Sequence, residues 1–342
     1  AERVGHVMNY GDGVYGGVFF GGMYAAAFFE KDPRKVVEAG VAAIPPGSVY
    51  AQVIRDVLKW SAENPDWEKT WQLIEDKWDK DDPCPDGALR PFNIDAALNG
   101  AYVALGLLYG KGDFDRTQEV SMRAGQDSDC NPSSAAGILG VMLGYKGIPA
   151  KWTAPLAAIA DSKFSYTDYS FNSIVESTIK RAKHIIQQEG GKVTAESCEI
   201  PVQAPAGLTL EQFAPGKVVE RIAPGDARWK WQGAWEKAGG DRPSRRSKTA
   251  GAEATVTFEG TGAMLVGTLD RDRGTADLYL DGALMTKIDG YNDDGQRDGE
   301  GLWGGFDLTP GPHTVRVVVK GEPYPGSKGV WVDLEDLIVY RK

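Results

Sequence analysis

The stretch Ala124-Gly125-Gln126-Asp127-Ser128-Asp129-Cys130-Asn131-Pro132, continued by Ser133-Ser134-Ala135-Ala136-Gly137, sets the reading of the chain. Two carboxylates two residues apart precede a small, apolar run (134–145) that reads as a helix packed closely on its neighbours. From a loop, Asp127 and Asp129 can converge on one hard cation, with Asn131 adding a carbonyl oxygen. Oxygen-only ligation suits Mg²⁺, Ca²⁺ or Mn²⁺. The structural alternative is a plain helix N-terminus, where the exposed N–H groups and the dipole favour aspartate in any case.

Outward from this segment, residues 1–188 read as helices. Residues 14–30 are rich in Gly, Ala and Phe and apolar on nearly all sides, the mark of a buried helix. Val49, Val53, Ile54, Val57 and Leu58 form one helical stripe. Trp67, Trp71, Ile74 and Trp78 form another, with Asp66 as N-cap. Pro83, Pro85, Gly87 and Pro91 make residues 81–91 a loop. Ile94, Ala97, Leu98, Ala101, Leu105 and Leu108 resume helical spacing, and Asp113-Phe114-Asp115 opens a helix that stops near Gly125. The last helix, 171–188, carries Lys180, Arg181, Lys183 and His184 in its second half, as the dipole favours.

Past residue 200 the period changes to short strands at 253–258, 264–268, 276–280, 313–319 and 330–334. Asp281-Gly282 between Tyr279-Leu280 and Leu284-Met285 is a strong hairpin signal. The expected architecture is therefore multi-domain. An all-α helical bundle covers 1–199, a Pro- and Gly-bearing linker covers 200–216, and an antiparallel, jelly-roll-like β-sandwich covers 217–342. The 43 glycines serve close helix packing in the first part and turns in the second.

Composition narrows the function classes. With 38 basic and 48 acidic residues the formal charge is −10, which disfavours a nucleic-acid backbone as partner. No run approaches the ~18 apolar residues of a membrane span. Cys84, Cys130 and Cys198 lie far apart beside only three histidines, against a zinc finger or a disulfide scaffold. Cys84 and Cys130, both in proline-bearing loops, read as buried free thiols, with a disulfide as the alternative.

The segment 114–149 resembles the carboxy-terminal signature of the ADP-ribosylglycohydrolase family, of the dinitrogenase reductase-activating glycohydrolase type. The matching residues are Gly125, Asp127 and Asp129, then Gly137, Gly140, Gly144-Tyr145 and Gly147-Ile148-Pro149. The Asn93–Leu98 stretch and the Asp113-Phe114 turn fit the same order. So does Asn9-Tyr10-Gly11-Asp12-Gly13, where the family has a substrate-lining loop. The resemblance implies an all-α bundle with a binuclear Mg²⁺ or Mn²⁺ site that hydrolyses an N- or O-glycosidic bond of an ADP-ribosyl or related ribofuranosyl group. It implies Asp127 and Asp129 as catalytic carboxylates and metal ligands, Asn131 as a further ligand, and Asn9, Asp12, Tyr15 and Gly125 as substrate contacts. Asp12 also reads as a simple N-cap, and His6 as a neighbour of the same turn.

Two departures from the family pattern stand out. Cys130 occupies the place of a Ser or Thr ligand, and a thiol is a poor partner for a hard cation. The family's Thr-Asp-Asp segment is not found, since Thr167-Asp168-Tyr169 follows the motif instead of preceding it. Together with an opening that has neither Met nor a signal-type stretch, this suggests the carboxy-terminal part of a longer protein, with a second chain supplying the missing helices.

In the sandwich, the acidic loop 289–300 reads as a solvated hairpin tip or a Ca²⁺ loop, though not an EF-hand. Trp229, Trp231, Trp235, Trp303 and Trp331 fill the core or line a sugar-stacking face. Three functions follow for a small-molecule or glycan substrate. One is the ADP-ribosyl hydrolase. The second is a carbohydrate-directed hydrolase outside the cytoplasm, with a periplasmic or secreted location favoured. The third is a non-catalytic sugar- or nucleotide-binding protein. Basic residues near the motif are few (Arg123, Lys146, Lys151), which disfavours a diphosphate.

Overall fold

The structure, a computed structural model, describes residues 1–80, 82–203, 207–239 and 242–342. Its first unit, Ala1–Asp79 with Ala96–Gln212, is helical. In chain order its helices are α1 (Glu2–Gly5), α2 (Asp12–Ala27), α3 (Pro33–Ala42), α4 (Val49–Glu63), α5 (Trp67–Trp78), α6 (Ala96–Gly110), α7 (Phe114–Arg123), α8 (Cys130–Leu143), α9 (Ala150–Ala157) and α10 (Phe171–Gln188). A short ribbon, β1 (Lys192–Val193) with β2 (Cys198–Glu199), follows.

The helices begin where side-chain acceptors meet their orphan N–H groups. Asp66 caps α5 through the Glu68 N–H at 3.1 Å, and Asp113 caps α7 through the Arg116 N–H at 2.7 Å, both as expected. Ser48 caps α4, and Ser170 with Ser173 forms a capping box on α10. Helix α6 is the axis of the unit, with Leu98, Tyr102, Leu105 and Leu107 buried. Gly106 lets α7 approach: a Cβ there would meet the Ser121 Cβ and the Thr117 carbonyl at 2.7 Å. Tyr15, Phe19 and Met23 bring α2 into the same core. Helix α10 forms over the expected residues yet buries none of them.

The second unit joins Lys80–Asp95 to Phe213–Lys342. Its strands are β3 (Lys217–Ile222), β4 (Lys230–Gln232), β5 (Glu236–Ala238), β6 (Ser244–Ser247), β7 (Glu253–Gly260), β8 (Gly262–Leu269), β9 (Gly274–Leu280), β10 (Ala283–Asp289), β11 (Arg297–Gly305), β12 (Gly311–Pro323), β13 (Val332–Leu334) and β14 (Leu337–Arg341). They form a five-stranded sheet in the order β10-β9-β12-β7-β4, a four-stranded sheet β11-β8-β14-β3, and a three-stranded sheet β13-β6-β5. All strand pairs are antiparallel. Val256, Phe258, Leu278, Val315 and Val317 of the first sheet meet Leu265, Leu337 and Val339 of the second in one core, the sandwich expected from the alternation. The β9–β10 turn is the anticipated Asp281-Gly282, with φ of 49° and 84°. Two positive φ values are what a two-residue hairpin of matching twist requires.

The expected boundaries at 1–199, 200–216 and 217–342 take no account of the excursion between α5 and α6. There residues 82–91 of the expected loop belong to the sandwich unit. The Tyr340 hydroxyl donates to the Pro83 carbonyl at 2.6 Å, and Arg221 Nε donates to the Ala88 carbonyl at 3.0 Å. Arg221 and Arg90 both pair with the buried Asp336 at 2.8 Å. Ala88 itself is buried against Val266, Ile338 and Tyr340. Residues 204–206 of the expected linker lie outside the described residues, as does Asp81 of the loop. The remainder of the linker divides at Gln212 and Phe213.

No disulfide joins Cys84 and Cys130; all three cysteines are free, and Cys130 is exposed, not buried. Burial, and then the neighbouring Asp82, push the Cys84 thiol up to about 12, so it stays protonated. No helix among the described residues is long and apolar enough to cross a membrane.

Candidate metal centre

Helix α7 ends at Arg123, and the chain then turns through Gly125 and Gln126 with φ of 96° and 51°. Glycine takes the first of these without strain, so the turn can bring Asp127 back toward the start of α8. One oxygen of Asp127, one of Asp129 and the Cys130 sulfur lie within 4.8 Å of one another. Among the described residues this is the one group of three or more His, Cys, Asp or Glu side chains so gathered.

The two aspartates do different things. Asp127 Oδ1 accepts the Cys130 N–H at 3.3 Å and so caps α8. Asp129 stands at the N-cap position but makes no side-chain capping bond, so its exposed carboxylate is not engaged by the helix. Hydrogen bonding with Asp129, then with Cys130, holds Asp127 below the usual carboxylate range. The Asp127 carboxylate in turn raises the Cys130 thiol, which stays neutral and offers a hard cation little.

Asn131 is buried and faces inward. Its Nδ2 donates to Asn99 Oδ1 at 2.7 Å, and the same oxygen accepts the Asp127 N–H at 3.1 Å. Asn99 Nδ2 donates to Gln126 Oε1 at 3.3 Å. Asn99 of α6 thus ties down three residues of the loop, a role the sequence reading passed over. Its signal was visible: it is the one side-chain amide in the otherwise apolar run 96–110. The donor set fits a hard divalent cation at Asp127 and Asp129. Asn131 has only its Oδ1 left to contribute, its Nδ2 being committed to Asn99.

Of the expected substrate contacts, Gly125 sits in the turn before Asp127, while Asn9, Asp12 and Tyr15 lie around the start of α2. Asp12 Oδ1 accepts the Tyr50 N–H at 3.2 Å, so it caps α4, not its own helix, and burial raises its pKa. The buried Tyr15 donates its hydroxyl to the Thr209 carbonyl at 3.0 Å and accepts the Glu211 N–H. Glu211 also accepts the Gly11 N–H at 3.0 Å and meets His6 Nε2 at 2.7 Å. His6 is raised by this bond first and by the Glu2 carbonyl next. Exposed Asn9 lies over Gly13, where an added Cβ would stand 2.9 Å from its Oδ1. Among the described residues no hydrogen bond or ion pair links Asn9, Asp12 or Tyr15 to Asp127 or Asp129. Glu211 sat in the expected linker, where no periodicity pointed to it.

In the sandwich, the loop 289–300 makes its contacts within the second unit. Asn292 Nδ2 donates to the Gly295 carbonyl at 2.7 Å, Arg297 pairs with Asp294 at 3.1 Å, and Arg271 Nε takes the Asp293 carbonyl at 2.7 Å. Trp229 is buried in the core, and Trp231, Trp235 and Trp303 pack partly buried against it.

A family model described as ADP-ribosylglycohydrolase matches residues 1–183. The A type blood alpha-D-galactosamine galactosaminidase of Flavonifractor plautii is 38% identical over 73 residues, which are 21% of this chain and 7% of that protein. Similar solved structures include a cycloisomaltooligosaccharide glucanotransferase of Paenibacillus sp. (16% identity, TM-score 0.28, 35% of this chain and 18% of that one). The CBM35 of Cellvibrio japonicus Abf62 is another (12% identity, TM-score 0.28, 36% of this chain and 95% of that one). The chain thus spans a small part of the curated relative and of the first of these enzymes. With 183 of its 342 residues matched, the chain belongs to the ADP-ribosylglycohydrolase family.

Proposed function

We propose that the helical unit is a divalent-metal-assisted glycohydrolase in which Asp127 and Asp129 hold a Mg²⁺ or Mn²⁺ ion and attend the scissile glycosidic bond. The observation that supports this is the convergence of the two carboxylates on a loop fixed by Asn99 and Asn131, with Asp129 left unused by the helix it begins. Two carboxylates and one amide oxygen make a donor set for a single cation. When bound, such an ion supplies a Lewis acid that engages sugar hydroxyls and favours attack of water at the anomeric carbon. Asp127, anchored by the Cys130 N–H, keeps its orientation. Asp129, exposed and not engaged in capping, offers the ion its second carboxylate.

The bond is proposed to be ADP-ribosyl or a related ribofuranosyl linkage. One observation favours a second reading, a neutral glycoside acted on in the periplasm or outside the cell. Of the three cations near the motif, Arg123 is paired with Glu119 at 3.2 Å and Lys151 with Asp115 at 2.6 Å, which leaves Lys146 alone without an ion pair among the described residues, a weak provision for a diphosphate. The test is hydrolysis of an ADP-ribosylated protein against a panel of aryl glycosides, with Mg²⁺, Mn²⁺ or EDTA. Turnover that EDTA abolishes and that Asp127→Ala removes is the expected result. Full activity of Asp127→Ala would overturn the proposal, and the preferred substrate separates the two readings.

A further inference from the structure

Strand β6 and the residue that follows it carry a basic run. Arg245-Arg246-Ser247-Lys248 runs along and just past β6 in a protein of formal charge −10. Beside it Trp235, Glu236, Arg246, Lys248 and Trp331 line a pocket of about 180 Å³. Trp235 donates its indole N–H to the Gln232 and Glu253 carbonyls, both at 3.1 Å. Its ring stands edge-on to Trp231 at 4.9 Å, and Trp231 stacks at 4.9 Å on the buried Trp229. This wall is continuous with the sandwich core, so little side-chain ordering remains for binding to impose. Across from it, the Arg246 guanidinium and the Lys248 ammonium lie 4.4 Å and 4.9 Å from the Trp331 ring centre.

The two cations are not equally neutralised. Arg246 pairs with Glu236 at 2.7 Å. Exposed Lys248 rests on the Trp331 ring and, among the described residues, has no carboxylate partner. A cation over an indole at the surface is weakly held, so Lys248 can exchange that contact for an anion. Glu236 and Arg246 add an acceptor and donors of the kind that sugar hydroxyls need. The volume lies below the range of drug-sized sites and suits a single sugar ring.

We propose that this pocket binds an acidic sugar residue of a polysaccharide, with its ring on the indole faces and its carboxylate or sulfate on Lys248. A single-stranded nucleic acid also combines stacking with cations, but it needs a basic groove that tracks several phosphates. One short pocket on an acidic protein does not supply that groove.

The test is affinity electrophoresis of the whole chain in gels containing polygalacturonate, chondroitin sulfate, neutral xylan or single-stranded poly(dT). Retardation is expected in one or both acidic-glycan gels, the pair telling carboxylate from sulfate, and not in xylan. Lys248→Glu, an exposed change that leaves the fold intact, and Trp331→Ala should each weaken retardation about tenfold. Asp127→Ala should leave it unchanged, which keeps this site separate from the metal centre. The proposal is overturned by no retardation in any gel, by equal retardation in xylan, by stronger retardation in poly(dT), or by acidic-glycan binding that survives Lys248→Glu.

Discussion

Asn131 donates its side-chain amide to Asn99 across 2.7 Å, and through that one oxygen, which also takes the Asp127 N–H, the helix α6 governs where the Asp127 carboxylate stands. Support of this kind around a metal ligand is worth about 10- to 100-fold in affinity. Asn99→Ala should therefore lower Mn²⁺ binding by that order, read by titration calorimetry, while the far-ultraviolet circular dichroism is unchanged. Affinity equal to that of the unmodified protein would show that the loop holds itself.

Tyr15 makes a second long-range tie. Its hydroxyl serves both the Thr209 carbonyl and the Glu211 N–H inside the first unit. Tyr15→Phe takes the side-chain partner from both backbone groups in a part-buried setting, which costs about 0.5–1.5 kcal/mol per bond. A lower urea midpoint and faster proteolysis near residues 207–212 are the expected readouts. An unmoved midpoint would mean that water replaces the hydroxyl.

Asp336 accepts from Arg221 and Arg90 and is almost fully buried, as is the Arg221 side chain. Removing one partner of a buried ion pair strands the other charge, a loss of about 3–5 kcal/mol. Asp336→Ala should destabilise the second unit by roughly that amount and expose residues 82–95 to protease. Asp336→Asn should recover part of it.

His313 gives the sandwich a pH signature. Burial lowers its pKa, but hydrogen bonds to Asp281 at 2.6 Å and to the Thr309 carbonyl at 2.7 Å outweigh it and leave the group raised. A carbonyl only accepts, so Nε2 must carry a proton, and the carboxylate favours one on Nδ1 as well. The pair therefore stabilises fully below the ordinary value of 6.5, and that stabilisation is lost as pH rises through the higher folded value. Asp281 works in the opposite sense. Its folded pKa is lowered, so its share is present above 3.8 and is lost as pH falls through the folded value. In urea melts, the gap between the unmodified protein and His313→Asn should be wider at pH 5.5 than at pH 8.5. A gap independent of pH would show that the imidazole is neutral throughout.

Much of the fold was legible because it rests on local chemistry. Asp66 and Asp113 announced helix starts, and Asp281-Gly282 announced a turn that needs two positive φ values. The Asp127–Asp129 loop was legible because its spacing is itself the constraint. What was not legible depends on partners far along the chain. Arg221 reads as an ordinary strand residue until Pro85, Ala88 and Asp336 surround it. Glu211 reads as linker until Gly11, His6 and Tyr15 bind it. Asn131 read as a ligand because its position follows the aspartates, and only the Asn99 contact shows its amide nitrogen turned inward.

The excursion through Lys80–Asp95 also bears on how this architecture can be cut and recombined. A gene fragment starting at Phe213 would encode every strand of the sandwich, yet its product would lack the Pro83 and Ala88 carbonyls that Tyr340 and Arg221 bind and the Arg90 side chain that pairs with Asp336. The sandwich is not a cassette that one crossover can move between proteins. A working transplant must carry two separate stretches of the gene, and any host that accepts it must offer a helix junction like that between Trp78 and Ala96 to receive the first.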